Sequence, residues 1–171
     1  MNLDPVKKLM YEQDFEGAEK LLQAGLKTEK DKFMIFYFLG LVYFELRKLD
    51  KSIKFFEKSI KLRPNNISAY IKLAVLHQTM GNAEGSKNNY LKSIELDSNQ
   101  IRSYYGLYQL KPKFLKDEFY DKIKHISLTS KENSKELAIS KFLLSKFEIN
   151  KNNLKEELKL LEDAHKTMLN S

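Results

Sequence analysis

A chain of 171 residues, 42% of them hydrophobic, can bury a core of its own, and with no cysteine it excludes disulfides and thiolate metal sites. Thirty Lys and Arg against 23 Asp and Glu leave a net charge of +7, but the lysines are spread along the chain as on a solvated helical surface, and only Arg47 and Arg63 precede Arg102, which disfavours nucleic acid as a partner. The opening residues lack the apolar stretch of a secretory signal and the longest apolar run, residues 34–39, is too short to span a bilayer, so a cytoplasmic protein with no membrane partner is expected.

Asp4-Pro5 opens the first helix, with an acceptor side chain at the N-cap and proline at the first helical position. From there the apolar pattern and its breaks predict helices in pairs: residues 5–13 with 14–27, 31–46 with 50–62, and 67–80 with 83–96. Asp50 reads as an N-cap, Pro64-Asn65-Asn66 and Asp97-Ser98-Asn99 as stops, and Met80-Gly81-Asn82 as the turn inside the third pair. Connections this short place the two helices of a pair antiparallel.

The pairs repeat. At a spacing of 34 residues, Ala18, Ser52 and Ser86 align as small residues, Leu22, Phe56 and Tyr90 as large ones, and Gly25, Ser59 and Ser93 as small ones again. Leu9, Tyr43 and His77 share the large position of the first helix; Gly40 and Ala74 share its small one, from which Val6 departs in the first pair. Two helices approach closely only where one presents Gly, Ala or Ser opposite a bulky side chain of the other. With Leu39-Gly40, Tyr43, Ser52, Phe56, Ser59 and the terminator Pro64, residues 33–66 resemble a tetratricopeptide repeat (TPR), a helix-turn-helix of about 34 residues. Three such repeats in one register make the expected fold all-α, a right-handed α-solenoid of antiparallel helix pairs.

A fourth repeat starts in register with Ile101, Tyr104 and Leu107 and is interrupted at Lys111-Pro112-Lys113, where proline removes a backbone donor and ends the helix. A helix over 113–126 is predicted next, with Leu115, Phe119, Ile123 and Ile126 on one face. Thr129-Ser130-Lys131-Glu132 has the spacing of a capping box and reads as the start of a helix reaching residue 149. Asn153-Leu154-Lys155-Glu156 caps the last helix, whose apolar stripe is Leu154, Leu158, Leu161, Ala164 and Met168. In residues 137–170, Leu144-Ser145, Leu161 and Ala164 fall at repeat positions again, with Glu157 as the mismatch. The expected organisation is a TPR solenoid over residues 1–110, about three repeats and a partial fourth, and a helical extension over residues 111–171 ending in a repeat-like pair. The apolar last helix either caps the solenoid or precedes a further domain; periodicity leaves both open.

The order of these parts, three repeats, a broken helix with Lys111-Pro112-Lys113-Phe114-Leu115, a spacer ending at Glu132 and a pair ending in Leu160-Leu161-Glu162-Asp163-Ala164-His165-Lys166, resembles the N-terminal region of bacterial TPR-containing sulfotransferases. In that family a catalytic domain using the sulfate donor PAPS follows the solenoid. The donor-binding strand-loop-helix of that family, of the Pro-Arg-Ser-Gly-Thr-Thr type, has no counterpart at Pro5, Pro64 or Pro112. The resemblance therefore implies the non-catalytic part alone, with a sulfotransferase domain as one implied partner.

No catalytic, cofactor or metal site is expected. His77, His125 and His165 lie on three different predicted helices without the spacing of metal ligands, and His77 occupies a packing position of the repeat. The inner helix of a TPR faces the concave groove: here Met34, Tyr37, Phe38, Leu41 and Phe44 in one repeat, and Ile71, Lys72, Val75, Gln78 and Thr79 in the next. This face reads as a groove for an extended or helical peptide, each large side chain contributing about 1.5 to 3 kcal/mol on full burial; the alternative is that the chain's own first or last helices fill it. Chaperone-binding TPR grooves resemble one another in holding lysine and asparagine where this chain has Tyr37 and Leu41, which implies no binding of acidic chaperone tails. The expected function is a non-catalytic interaction or scaffold module for a protein or peptide partner; the alternative that the resemblance implies is the substrate-presenting N-terminal part of a PAPS-dependent sulfotransferase whose catalytic domain is absent here.

Overall fold

The computed structural model describes residues 1–171 and holds ten α-helices and no β-strand. In chain order they are α1 (Asp4–Tyr11), α2 (Phe15–Thr28), α3 (Phe33–Glu45), α4 (Leu49–Leu62), α5 (Ile67–Thr79), α6 (Ala83–Leu96), α7 (Ile101–Leu110), α8 (Tyr120–Thr129), α9 (Lys135–Asn150) and α10 (Leu154–Leu169). They fall into two compact units, Met1–Asn89 and Tyr90–Ser171, divided within α6; the break expected after residue 110 lies inside the second. No helix is long and apolar enough to cross a membrane.

The turns inside the pairs share one device. A single residue in the left-handed region closes each of them: Gln13 (φ 62°), Arg47 (φ 57°), Gly81 (φ 75°) and Asn152 (φ 56°). The following N–H then donates to the carbonyl five residues back, Asp14 to Leu9 (2.8 Å), Lys48 to Tyr43 (2.9 Å), Asn82 to His77 (2.8 Å) and Asn153 to Glu148 (3.0 Å). This Schellman closure satisfies carbonyls that a helix end leaves open. Gln13, Arg47 and Gly81 stand 34 residues apart, so the turn recurs with the sequence, and α9–α10 closes in the same way.

The turn also fixes where the next helix begins. Asp14 caps α2 by accepting from Gly17 (2.8 Å), Asn82 caps α6 through Gly85 (2.9 Å), and Asn153 caps α10 through Glu156 (3.5 Å). In the second pair Lys48 holds that place and α4 has no side-chain cap; Asp50, expected to cap it, falls inside the first turn, two residues late. Asp4 is likewise the first residue of α1 and not its cap, its carboxylate accepting from Lys7 (3.0 Å).

Packing in the first unit gathers Val6, Ala18, Leu22, Ile35, Phe38, Leu39, Val42 and Tyr43 into one cluster and Phe56, Ala69, Leu73 and Leu76 into another. Phe56 is fully buried with its ring against Gly40, where a Cβ would stand 2.8 Å from ring atoms. Ser52, one of the aligned small residues, donates to the Gly40 carbonyl (2.7 Å), and Ser59 donates to that of Phe33 (3.3 Å) while accepting from Asn66 (3.2 Å). Ser86 occupies the same repeat position as Ser52 and is as deeply buried, but its hydroxyl has no hydrogen-bond partner. In the second unit the Tyr90 ring fills the space that Gly106 leaves open, and the hydroxyls of Ser93 and Ser103 meet at 2.6 Å.

The region after α7 departs from expectation. In place of one helix over 113–126, two 3₁₀ turns, Pro112–Phe114 and Asp117–Phe119, are separated by extended backbone at Lys116 (φ −79°, ψ 153°), and α8 starts only at Tyr120. The expected apolar face survives, for Leu115, Phe119, Ile123 and Ile126 are all buried. Thr129 does not begin a capping box: the buried Ile126 carries α8 onward, Thr129 Oγ1 donates back to the His125 carbonyl (2.9 Å), and Ser134 caps α9 by accepting from Leu137 (3.2 Å). The α10 helix packs on α9, burying Ala164 and Thr167, while Leu154 and Leu158 of the expected stripe stay 66% and 60% exposed.

Two stability measurements follow from these contacts. Ser52→Ala is expected to cost about 1 kcal/mol and Ser86→Ala to be neutral or to stabilise by up to about 1 kcal/mol, because only the first removes a formed hydrogen bond; equal losses in urea melts would contradict the two assignments. Lys48→Asn supplies the missing cap of α4 and should stabilise by about 1 kcal/mol. A melting temperature unchanged or lowered by Lys48→Asn would show that α4 does not start where the turn places it.

Candidate functional site

All ten residues expected to line the groove lie in the first compact unit, five on α3 and five on α5. Tyr37, Leu41 and Phe44 are half-buried and pack on the cluster built from Phe56, Ala69, Leu73 and Leu76, and Tyr37 and Leu41 also touch the cluster around Leu39. The α3 row is therefore fixed from beneath by two core clusters, one of which belongs largely to α5. Tyr37 sets its ring edge-on to Phe38 (5.9 Å) and Phe56 (5.6 Å), burial pushes its hydroxyl above the usual tyrosine range, and a hydrogen bond with Ser68 partly offsets the shift. Met34 is the most open of the α3 set at 38% exposed; Phe38, at 8%, belongs to the core and offers a partner no more than an edge.

On α5, Ile71, Lys72, Val75 and Gln78 are half-buried and Thr79 is exposed. Ile71, Val75 and Gln78 recur at intervals of four and three residues and so share a face, distinct from the one that Ala69, Leu73 and Leu76 turn into the core. The face mixes apolar area with one lysine. His77 is half-buried in the turn that closes α5, its ring nitrogen 3.4 Å from Asn82 Nδ2, while His125 and His165 are exposed.

Away from the groove, α3 and α4 carry an aromatic ladder that the repeat pattern alone did not single out. Tyr43 stacks on Phe55 (5.3 Å, 16° between planes), Phe55 meets Phe36 at 6.0 Å, and Lys51 and Lys58 cover Tyr43 and Phe55 at 5.3 and 4.9 Å. Tyr43 donates to Glu19 (2.6 Å); burial, and then that bond to a carboxylate, raise its pKa. The i, i+3 spacing of Phe55 and Lys58 was the available signal. These lysines sit over rings, which is a packing role for part of the positive charge, worth about 0.5 to 1 kcal/mol at an exposed site.

Two tetratricopeptide repeat models match, one residues 34–66 and the other residues 67–100, so the chain carries tetratricopeptide repeats where the candidate groove residues lie. Among curated proteins, the TPR repeat-containing protein MJ0941 of Methanocaldococcus jannaschii is 36% identical over 66 residues, 39% of this chain and 20% of that protein. The TPR repeat-containing protein MJ1428 of the same organism is 25% identical over 119 residues, 67% of this chain and 21% of that protein. The chain thus spans about a fifth of the length of the curated relatives it matches. Among solved structures, MamA superposes with a TM-score of 0.72 at 17% identity, covering 98% of this chain and 96% of that one. BtubC from P. vanneervenii gives 0.72 at 17% identity over 95% and 76% of the two chains. YrrB, described as a TPR protein with an unusual peptide-binding site, gives 0.67 at 15% identity over 95% and 82%. At these identities the likeness shows the fold, an α-solenoid of helix pairs.

Burial separates two classes of residue on the α3 face. Phe38→Ala should cost about 3 to 5 kcal/mol through a core cavity, whereas Met34→Ala at its exposed position should change stability by no more than about 1 kcal/mol. Comparable losses for the two in denaturant melts would show that the face is packed throughout and presents no open groove.

Proposed function

We propose that this chain is a protein-interaction module whose groove, built by α3 and α5, receives an extended or helical segment of a protein partner without making or breaking a bond. The observation that carries this reading is the row Tyr37, Leu41 and Phe44: each ring or branched side chain is fixed by core packing on one side and half open on the other. Side chains held in place before binding lose little rotamer freedom when a partner arrives, so more of the gain from apolar burial is kept as affinity. Ile71 and Val75 extend the apolar area onto α5, and Lys72 and Gln78 supply polar groups that can set the register of a bound backbone. Tetratricopeptide repeats are scaffolds of this kind, and the description of YrrB speaks of a peptide-binding site in a protein of the same fold. The sulfotransferase resemblance draws no support from the matches.

The test is selection of 12-residue peptides, about the length that covers two neighbouring inner helices, from a displayed library by the full chain. Peptides are expected that bind saturably and lose at least tenfold in affinity to Met34→Glu combined with Val75→Glu, while helicity and melting temperature hold. Selected peptides whose affinity ignores both substitutions, or no selected peptide at all, would overturn the groove as the binding site.

A further inference from the structure

Where the repeat pattern breaks in the second compact unit, the chain forms a cavity. It measures about 660 Å³ and lies among the end of α7, the two 3₁₀ turns and the last turns of α9. That volume is in the range of small-ligand clefts, and this one is open to solvent on one side. Its floor is apolar: Leu115 and Phe147 are 9% and 3% exposed, and the Tyr120 ring meets Phe147 edge-on at 5.4 Å.

The walls are cationic. Lys113, Lys116 and Lys146 line the cavity against the single carboxylate of Asp117. Lys116 lies 3.6 Å from Glu118, but neither Lys113 nor Lys146 has a carboxylate within ion-pair distance. Lys146 is placed by a ring: its Nζ stands 4.7 Å from the centroid of Phe142, which Tyr108 meets edge-on at 5.6 Å. Glu148, next in sequence to Phe147, does not compete for these lysines. It accepts from Lys151 (2.8 Å) and Asn153 (3.0 Å), and the Lys151 hydrogen bond holds its carboxyl below the usual range. A cleft whose walls carry charge of mostly one sign concentrates the opposite charge.

We infer that this cavity binds an amphipathic carboxylate, with the anionic end on Lys113 and Lys146 and the apolar part on Leu115 and Phe147. With lysines and no arginine in the lining, the anion is held by point charges and not by a planar bidentate fork, an arrangement that a single carboxylate satisfies. The apolar floor requires that the anion carry a hydrocarbon part. The same chemistry is presented by a free acid of moderate chain length and by a short peptide that alternates acidic and apolar residues. The site is separate from the α3 and α5 groove, and it stands or falls independently of the peptide reading given above.

Calorimetric titration of the full chain with octanoate and with the capped peptide acetyl-Glu-Leu-Glu-Phe-amide distinguishes the two sources. At least one is expected to bind saturably, with an affinity that falls as salt is raised. Lys113→Gln combined with Lys146→Gln should weaken it at least tenfold, and Met34→Glu with Val75→Glu should leave it unchanged. Lys113→Gln alone, at an exposed position, provides the same test with a weaker effect should loss of the Lys146 ring contact lower the melting temperature. Binding by the peptide alone assigns a protein segment as ligand; binding by octanoate assigns a free acid. No saturable binding by either, equal binding of the neutral octanamide, or affinity indifferent to both lysines overturns the inference.

Discussion

The structure depends on one contact repeated along the chain: an aromatic ring of one helix lying where another helix presents no side chain. Phe56 over Gly40 and Tyr90 over Gly106 are its clearest instances, and in each a single added Cβ would enter the ring. Close approach is possible only at such sites. It carries the neighbouring serines with it, since Ser52 sits near enough to the partner helix to donate to the Gly40 carbonyl itself. The ring is fully buried and its neighbours are core residues, so it has nowhere to move.

The same contact shapes the candidate groove. With Phe56 seated on Gly40, the ring of Tyr37 rests on Phe56, and Leu41 and Phe44 settle on the cluster that Phe56 shares with α5. Their outer faces are what remains after the core has taken its share, and that is why the candidate binding surface is apolar and firmly held at once. Phe38, one position round the helix from Tyr37, is drawn wholly into the core by the same geometry.

Much of this was legible in the sequence, because the alternation of large and small residues at 34-residue spacing is itself the packing rule. Less legible were features that depend on backbone state. Gly81 marked its turn, but Gln13 and Arg47 adopt the same left-handed conformation without being glycine, and only their common spacing from Gly81 betrays them. Asp50 looked like a cap because Asp is a good cap, yet the turn had already put Lys48 in the cap place of α4. Thr129 to Glu132 had the letters of a capping box, and Thr129 instead finished the preceding helix by bonding to its own turn. The cavity beside Lys113 was invisible because it arises from the 3₁₀ turns that replace a predicted helix, and no periodicity describes it.

The most direct test is the unfolding free energy of Gly40→Ala. Replacing a glycine inside a helix by alanine ordinarily stabilises by about 0.5 to 1 kcal/mol, since alanine leaves less backbone freedom to lose. Here the new methyl would stand 2.8 Å from the buried Phe56 ring, and overpacking of a closed core costs about 1 to 3 kcal/mol. The account predicts a net loss of stability; a gain of the ordinary size would contradict it.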